Sequence, residues 1–230
     1  MCGRAILVTS VEEIAEIFEA PLPPGPTLTR APSYNVAPTQ DLVVVRAAPP
    51  SSTSSRELAI LRWGLVPWWA KDTKIATKCI QARAETLAKA PAFRDAFKEH
   101  RCLVIVDGFY EWSGTGKNRQ PHLVHLPERR PFAIAGVWSS WKSPEGTKLE
   151  TCAVVTTAAA GPVASLHDRM PLVLEDPDAQ QRWLGGLPEA ARDVLANEAS
   201  ERFVFSAVSR WVNDAKHDDP RCIEPPEAVI

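Results

Sequence analysis

Cys2 has the most unusual chemical prospects of any residue in this 230-residue chain. Removal of Met1 would leave it with a thiol and a free α-amine on one residue. An α-amine titrates at about pH 7.7–8.0, so a useful fraction is neutral under physiological conditions. A neutral amine adds to an aldehyde and gives a Schiff base. The neighbouring thiol can then attack the imine carbon and close a thiazolidine ring. Cys79, Cys102, Cys152 and Cys222 lack this option, because each has its nitrogen locked in a peptide bond. Without further context, an inert Cys near a chain end is the plainer reading.

Two other positions suit proton transfer. Glu111 lies between Tyr110 and Trp112, directly after an apolar run. Partial desolvation there is expected to raise its pKa and fit it for acid–base work. A surface glutamate at a strand end is the alternative. His167 has the same ambiguity between proton shuttle and structural histidine. Ser165, His167 and Asp168 are close in sequence, which is no evidence for a triad. Gly114-Thr115-Gly116-Lys117 lacks the spacing of a phosphate loop and predicts a hairpin turn.

Lys71, Lys74, Lys78 and Arg83 face only Asp72 in their stretch, within a chain of net charge −2. A local nucleic-acid surface and an ordinary solvated face both fit. Trp63, Trp68 and Trp69 form the cluster WGLVPWW. Core packing is the default for Trp, and one of the adjacent pair could be an exposed stacking platform for a base.

These residues need a scaffold. Ser10-Val11-Glu12-Glu13 fits a capping box, with Ile14, Ile17 and Phe18 as the apolar stripe of a short helix. Residues 20 to 40 predict an extended loop. Strands are expected at 42–46, 58–63, 102–106, 122–126, 132–138, 151–157, 172–174 and 203–208. A low-complexity turn separates the first two. Helices are expected at 85–87, 93–100, 178–184 and 189–198. Strands outnumber helices without alternating regularly, which predicts an α+β domain with largely antiparallel pairing. The 21 Pro and 11 Gly argue against a long-helix bundle.

The five cysteines are odd in number and contain no CxxC pair, so neither a disulfide framework nor a zinc ribbon is expected. No signal peptide is visible, and no apolar run approaches the ~20 residues of a membrane span. A reducing setting, cytosolic or nuclear, follows as the expectation.

A series of motifs supplies the missing context: MCGR, YNVAPTQ, WGLVPWW, ARAET, RCLVIVDGFYEW, AGVW, VVTT, HDRMP and VSRWVN. In this order they strongly resemble the SOS-response-associated peptidase family of abasic-site sensors, from residue 2 to about residue 225. The resemblance implies one α+β domain with a β-barrel-like core flanked by short helices, leaving 226–230 as a tail. It implies a monomer, with no metal, cofactor or membrane. Its partner would be single-stranded DNA containing abasic sites, in the bacterial nucleoid or the nucleus. Carried over by motif, Cys2 is the crosslinking nucleophile, with Glu111 and His167 as the acid–base pair. Arg4, Arg83 and Arg169 would contact phosphates, while Pro38, Trp68 and Thr156 would line the DNA path. Gln81 stands where the family usually has Asn beside the crosslink, and Ala160 where Asn commonly follows the Thr pair. The lifetime of the crosslink is therefore expected to depart from the family's. A thiol peptidase using Cys2, His167 and Glu111 is one alternative. A non-covalent single-strand binder is another.

Overall fold

The computed structural model describes residues 3–22, 28–116, 119–197 and 202–227. In chain order it runs β1 (Ala5–Leu7), α1 (Val11–Ile17), β2 (Ser33–Val36), β3 (Asp41–Ala47) and β4 (Arg56–Trp63). A 3-10 helix at Thr73–Lys78 precedes β5 (Gln81–Arg83), α2 (Arg94–Glu99), β6 (Arg101–Val106), β7 (Gly108–Ser113) and β8 (Gln120–His125). Next come β9 (Phe132–Lys142), β10 (Lys148–Ala158), a 3-10 turn at Gly161–Ser165 and β11 (Arg169–Pro171). The chain ends through α3 (Pro177–Gly185), α4 (Pro188–Asn197), β12 (Val204–Ala207) and 3-10 turns at Arg210–Asn213 and Pro220–Ile223.

The predicted α+β class holds. Strands β10, β4, β3, β6 and β9 pair in sequence and β9 returns to β10, closing a five-stranded barrel. Closure removes the unpaired edges that invite association with other chains. A second sheet has the order β12-β8-β7-β1-β2. Alternate barrel residues enter two different cores. Val43 and Val45 pack with Ile14 of α1 and Trp183 of α3, whereas Leu42 and Val44 pack with Phe109 and Phe203. Burial on both faces explains why these strands read as unbroken apolar runs. Among the described residues no helix is long and apolar enough to cross a membrane.

Ser10 caps α1 as expected, accepting from the Glu13 N–H at 3.1 Å. Ile17 leaves the predicted stripe and is exposed. The loop expected at 20–40 contains β2. Residues 85–87 form turns rather than a helix, with Arg83 O accepting from both Thr86 and Leu87 N–H. The strand expected at 172–174 is not formed; the strand lies just before it, at Arg169–Pro171, because these residues of HDRMP pair with β10. Leu172 and Leu174 then donate to Val155 O and Ala133 O, bridging two barrel strands. The Gly114–Gly116 hairpin turn joins β7 to β8, with both glycines at positive φ.

One cation holds two helix ends. The buried Arg101 guanidinium donates to Phe97 O (2.6 Å) and Lys98 O (2.9 Å) of α2, and to Trp183 O (2.5 Å) and Gly186 O at the end of α3. Positive charge is favourable at helix C-termini, where carbonyls lack partners. Arg101→Met should lower the unfolding free energy by about 2–4 kcal/mol, since it strands several buried acceptors. Arg101→Lys should recover only part, because an ammonium cannot reproduce the fork. Urea unfolding checks this, and a full-strength Met variant would contradict it.

Candidate active site

The second half of β10 leaves the barrel and takes new neighbours. Val154, Val155 and Thr156 pair with Gln81, Ala82 and Arg83 of β5, in parallel. Thr156, Thr157 and Ala158 pair with Pro171, Met170 and Arg169 of β11, antiparallel. Four of the sequence-predicted residues (Gln81, Arg83, Thr156 and Arg169) are thereby brought together from three separate segments. Thr156 is buried and Arg83 is exposed.

Arg169 is largely committed to the protein. Its Nη1 and Nη2 donate to the two carboxylate oxygens of Glu85 at 2.5 and 3.0 Å, a bidentate pair. Nη2 also donates to Thr156 O at 2.6 Å. Its Nε is buried and has no hydrogen-bond partner among the described residues. The Arg169 fork holds the Glu85 carboxyl below the usual carboxylate range, while Glu85 itself is exposed. Sequence reasoning missed Glu85. It lies in ARAET beside Arg83, and only strand pairing brings it to Arg169.

Glu111 is fully buried on β7. Burial raises its pKa, and the positive field of His167 partly counters that. The expected desolvation is therefore present, and the two acid–base candidates act on each other. His167 Nδ1 accepts from the Arg169 N–H at 2.9 Å and lies 2.7 Å from Asp168 Oδ1. The first contact requires a bare Nδ1 and the second a proton on it.

Arg4 reaches this region through the backbone. Its carbonyl accepts from the Tyr110 N–H at 3.0 Å, one residue before Glu111. Its guanidinium, placed on phosphate in the sequence reading, here donates to Asn35 Oδ1 at 2.7 Å and Val212 O at 2.8 Å. Cys2 lies outside the described residues. The other four cysteines are free and buried, and burial pushes each thiol up, leaving them poor nucleophiles.

Pro38 lies on the turn after β2. Trp63 is core, donating to Ile80 O at 2.9 Å. Trp68 and Trp69 are both exposed, rather than one of the two, and Trp68 Nε1 donates to Asp95 at 3.2 Å. Lys71, Lys74 and Lys78 are exposed just beyond them. Exposed indoles beside cations form the kind of surface on which unpaired bases stack.

Comparisons with known proteins bear on the family and the fold. Residues 1–215 match the family model described as SOS response associated peptidase. "Abasic site processing protein YoqW" of Bacillus subtilis is 37% identical, covering 97% of this chain and 99% of the relative. "Abasic site processing protein HMCES" of Gallus gallus is 30% identical, covering 86% of this chain and 68% of the relative. A crystal structure of a Bacteroides thetaiotaomicron protein superposes with a TM-score of 0.82 at 20% identity, covering 97% of this chain and 99% of that one. At that identity the likeness concerns the fold.

Proposed function

The chain belongs to the SOS response associated peptidase family, and on that premise we propose that it captures abasic sites in single-stranded DNA through a covalent bond to Cys2, formed after Met1 is removed. The observation that supports this reading is the buried Glu111 carboxyl, its pKa raised by burial and within the field of His167, on a strand that hydrogen-bonds Arg4. Relatives named for abasic-site processing support the same substrate.

The chemistry balances with the residues present. An abasic sugar is mostly a closed hemiacetal, and His167 gives a proton to the ring oxygen and takes the C1 hydroxyl proton as the ring opens. The Cys2 amine attacks the freed aldehyde carbon, and the Glu111 carboxylate relays the nitrogen's two protons to the former carbonyl oxygen. Water leaves as the imine forms. The Cys2 sulfur then bonds to that carbon, and its proton moves to nitrogen as the C=N π-bond breaks. Both residues can run these steps backwards, so release is built in. A Schiff base left open permits β-elimination, hence weak lyase activity. Peptidase activity is read as self-removal of Met1. Arg83 and Arg169 bind phosphates, with Gln81, Thr156, Pro38 and Trp68 along the strand.

A denaturing gel tests the reading. A heat-stable adduct is expected with an abasic single strand and none with an intact strand. Equal, salt-sensitive binding of both strands without adduct would favour a non-covalent binder instead.

Glu85 occupies the phosphate-binding face of Arg169. A guanidinium carries five N–H donors. Glu85 and Thr156 use three, and the Nε–H is buried. A phosphate can accept two hydrogen bonds there only by displacing Glu85. An exposed pair of this kind is worth up to about 1 kcal/mol, so Glu85→Gln should tighten single-strand binding by about threefold to fivefold at low salt. The salt slope should steepen by about 0.7, equivalent to one more neutralised phosphate. Weaker binding by Glu85→Gln would show that Glu85 presents Arg169 rather than blocks it.

A further inference from the structure

Three motifs meet at one side chain that has no role in that chemistry. Asn35 of YNVAPTQ is fully buried on β2. Its Oδ1 accepts from Arg4 of MCGR at 2.7 Å. Its Nδ2 donates to the carbonyls of Val212 (3.2 Å), Asp214 (3.0 Å) and His217 (2.7 Å), in and just beyond VSRWVN. Arg4 donates to the same segment, at Val212 O and Asn213 O. The Asp218 carboxylate closes the attachment, accepting from Ser33 Oγ (3.0 Å) and the Tyr34 (2.5 Å) and Asn35 (3.0 Å) N–H groups. Asn213 Oδ1 accepts from Trp112 Nε1 at 2.7 Å, on the residue after Glu111.

The segment is stiff as well as attached. Ser209 N–H donates to Glu224 O at 2.8 Å and ties its ends together. Trp211 stacks on His217 at 3.4 Å and carries the Arg221 guanidinium 4.1 Å away. Residues 209–224 thus form a rigid strap, and its contacts fall on residues close in the chain to the reacting groups. One fixed point is Arg4, two residues from Cys2. The other is Trp112, one residue from Glu111.

We infer that the strap is a positioning element for the crosslinking reaction, with Asn35 and Asn213 setting where the Cys2 amine meets Glu111. The inference rests on the reaction proposed above. Two Cα steps span at most about 7.6 Å, so the direction fixed at Arg4 governs where an amine at residue 2 arrives. A misplacement of about 1 Å can cost up to a hundredfold in rate.

The experiment uses the full chain. Asn35→Asp keeps an acceptor for Arg4 and removes both N–H donors to the strap. Asn213→Ala removes the acceptor for Trp112, and Asn213→Asp keeps one. Three quantities are read: the adduct rate at saturating abasic strand, the affinity for an intact strand, and the reaction of residue 2 with free glyoxylate. Asn35→Asp and Asn213→Ala should slow the adduct about tenfold or more. Strand affinity and the glyoxylate reaction should be unchanged, and Asn213→Asp should react like wild type. Unchanged adduct rates in Asn35→Asp and Asn213→Ala overturn the inference, as does a parallel loss of the glyoxylate reaction. If Asn35→Asp fails to fold, the exposed Asn213 pair decides alone. A wild-type protein that forms no adduct overturns the underlying reading instead.

Discussion

Glu111→Gln is expected to slow adduct formation by about a hundredfold or more at saturating abasic strand, with strand affinity nearly unchanged. The amide has the shape and burial of the carboxyl but cannot take a proton from the attacking amine. The phosphate contacts proposed for Arg83 and Arg169 come from β5 and β11 rather than from β7, so binding should survive. The same variant should also report the cost of the carboxylate. Its folded-state pKa is raised by burial. Between the unfolded and the raised folded value, the folded state binds more protons, so wild-type stability falls as pH rises through that window. Glu111→Gln lacks this fall and should be at least as stable as wild type at neutral pH. Unfolding curves at mildly acidic and neutral pH check the sign. A variant that keeps the wild-type rate would remove Glu111 from the mechanism.

Cys2→Ala should abolish the heat-stable adduct altogether, the largest effect expected of any single substitution. The reason is specific to the atoms involved. Met1 is removable before Ala as well, so an α-amine remains and still attacks the aldehyde. What is lost is the sulfur that closes the ring. Cys2→Ala should therefore yield a transient imine, trapped only by borohydride, and more strand cleavage than wild type. The four internal cysteines cannot substitute, since each is buried with its thiol pushed up. A stable adduct of undiminished yield in Cys2→Ala would remove the thiol from the chemistry.

The parts of this account legible in the sequence were those carried by local pattern. The apolar run of β6 announced a buried strand and that of β3 a strand, and both are buried along their centres. Glu111 between two aromatic residues announced its desolvation, and burial delivered it. The special character of Cys2 follows from its position in the chain. The parts not legible depend on pairing between distant segments. Glu85 meets Arg169 only because β5 and β11 flank the same half of β10. Arg4 read as a free cation for phosphate, yet Asn35 and Val212 lie 31 and 208 residues away and engage it. Residues 85–87 have helix-compatible types, but the chain turns there to deliver Glu85 and Leu87, which packs into the core.

Intact mass of the wild-type protein, with and without an abasic single strand, tests the central claim most directly. The protein alone should show loss of Met1. With the strand, a single new species should appear, at the summed mass less one water, and its Cys2 should resist alkylation because the sulfur is in the ring. An adduct on chains that retain Met1, or an adduct whose Cys2 still alkylates freely, would contradict capture through the Cys2 amine and thiol.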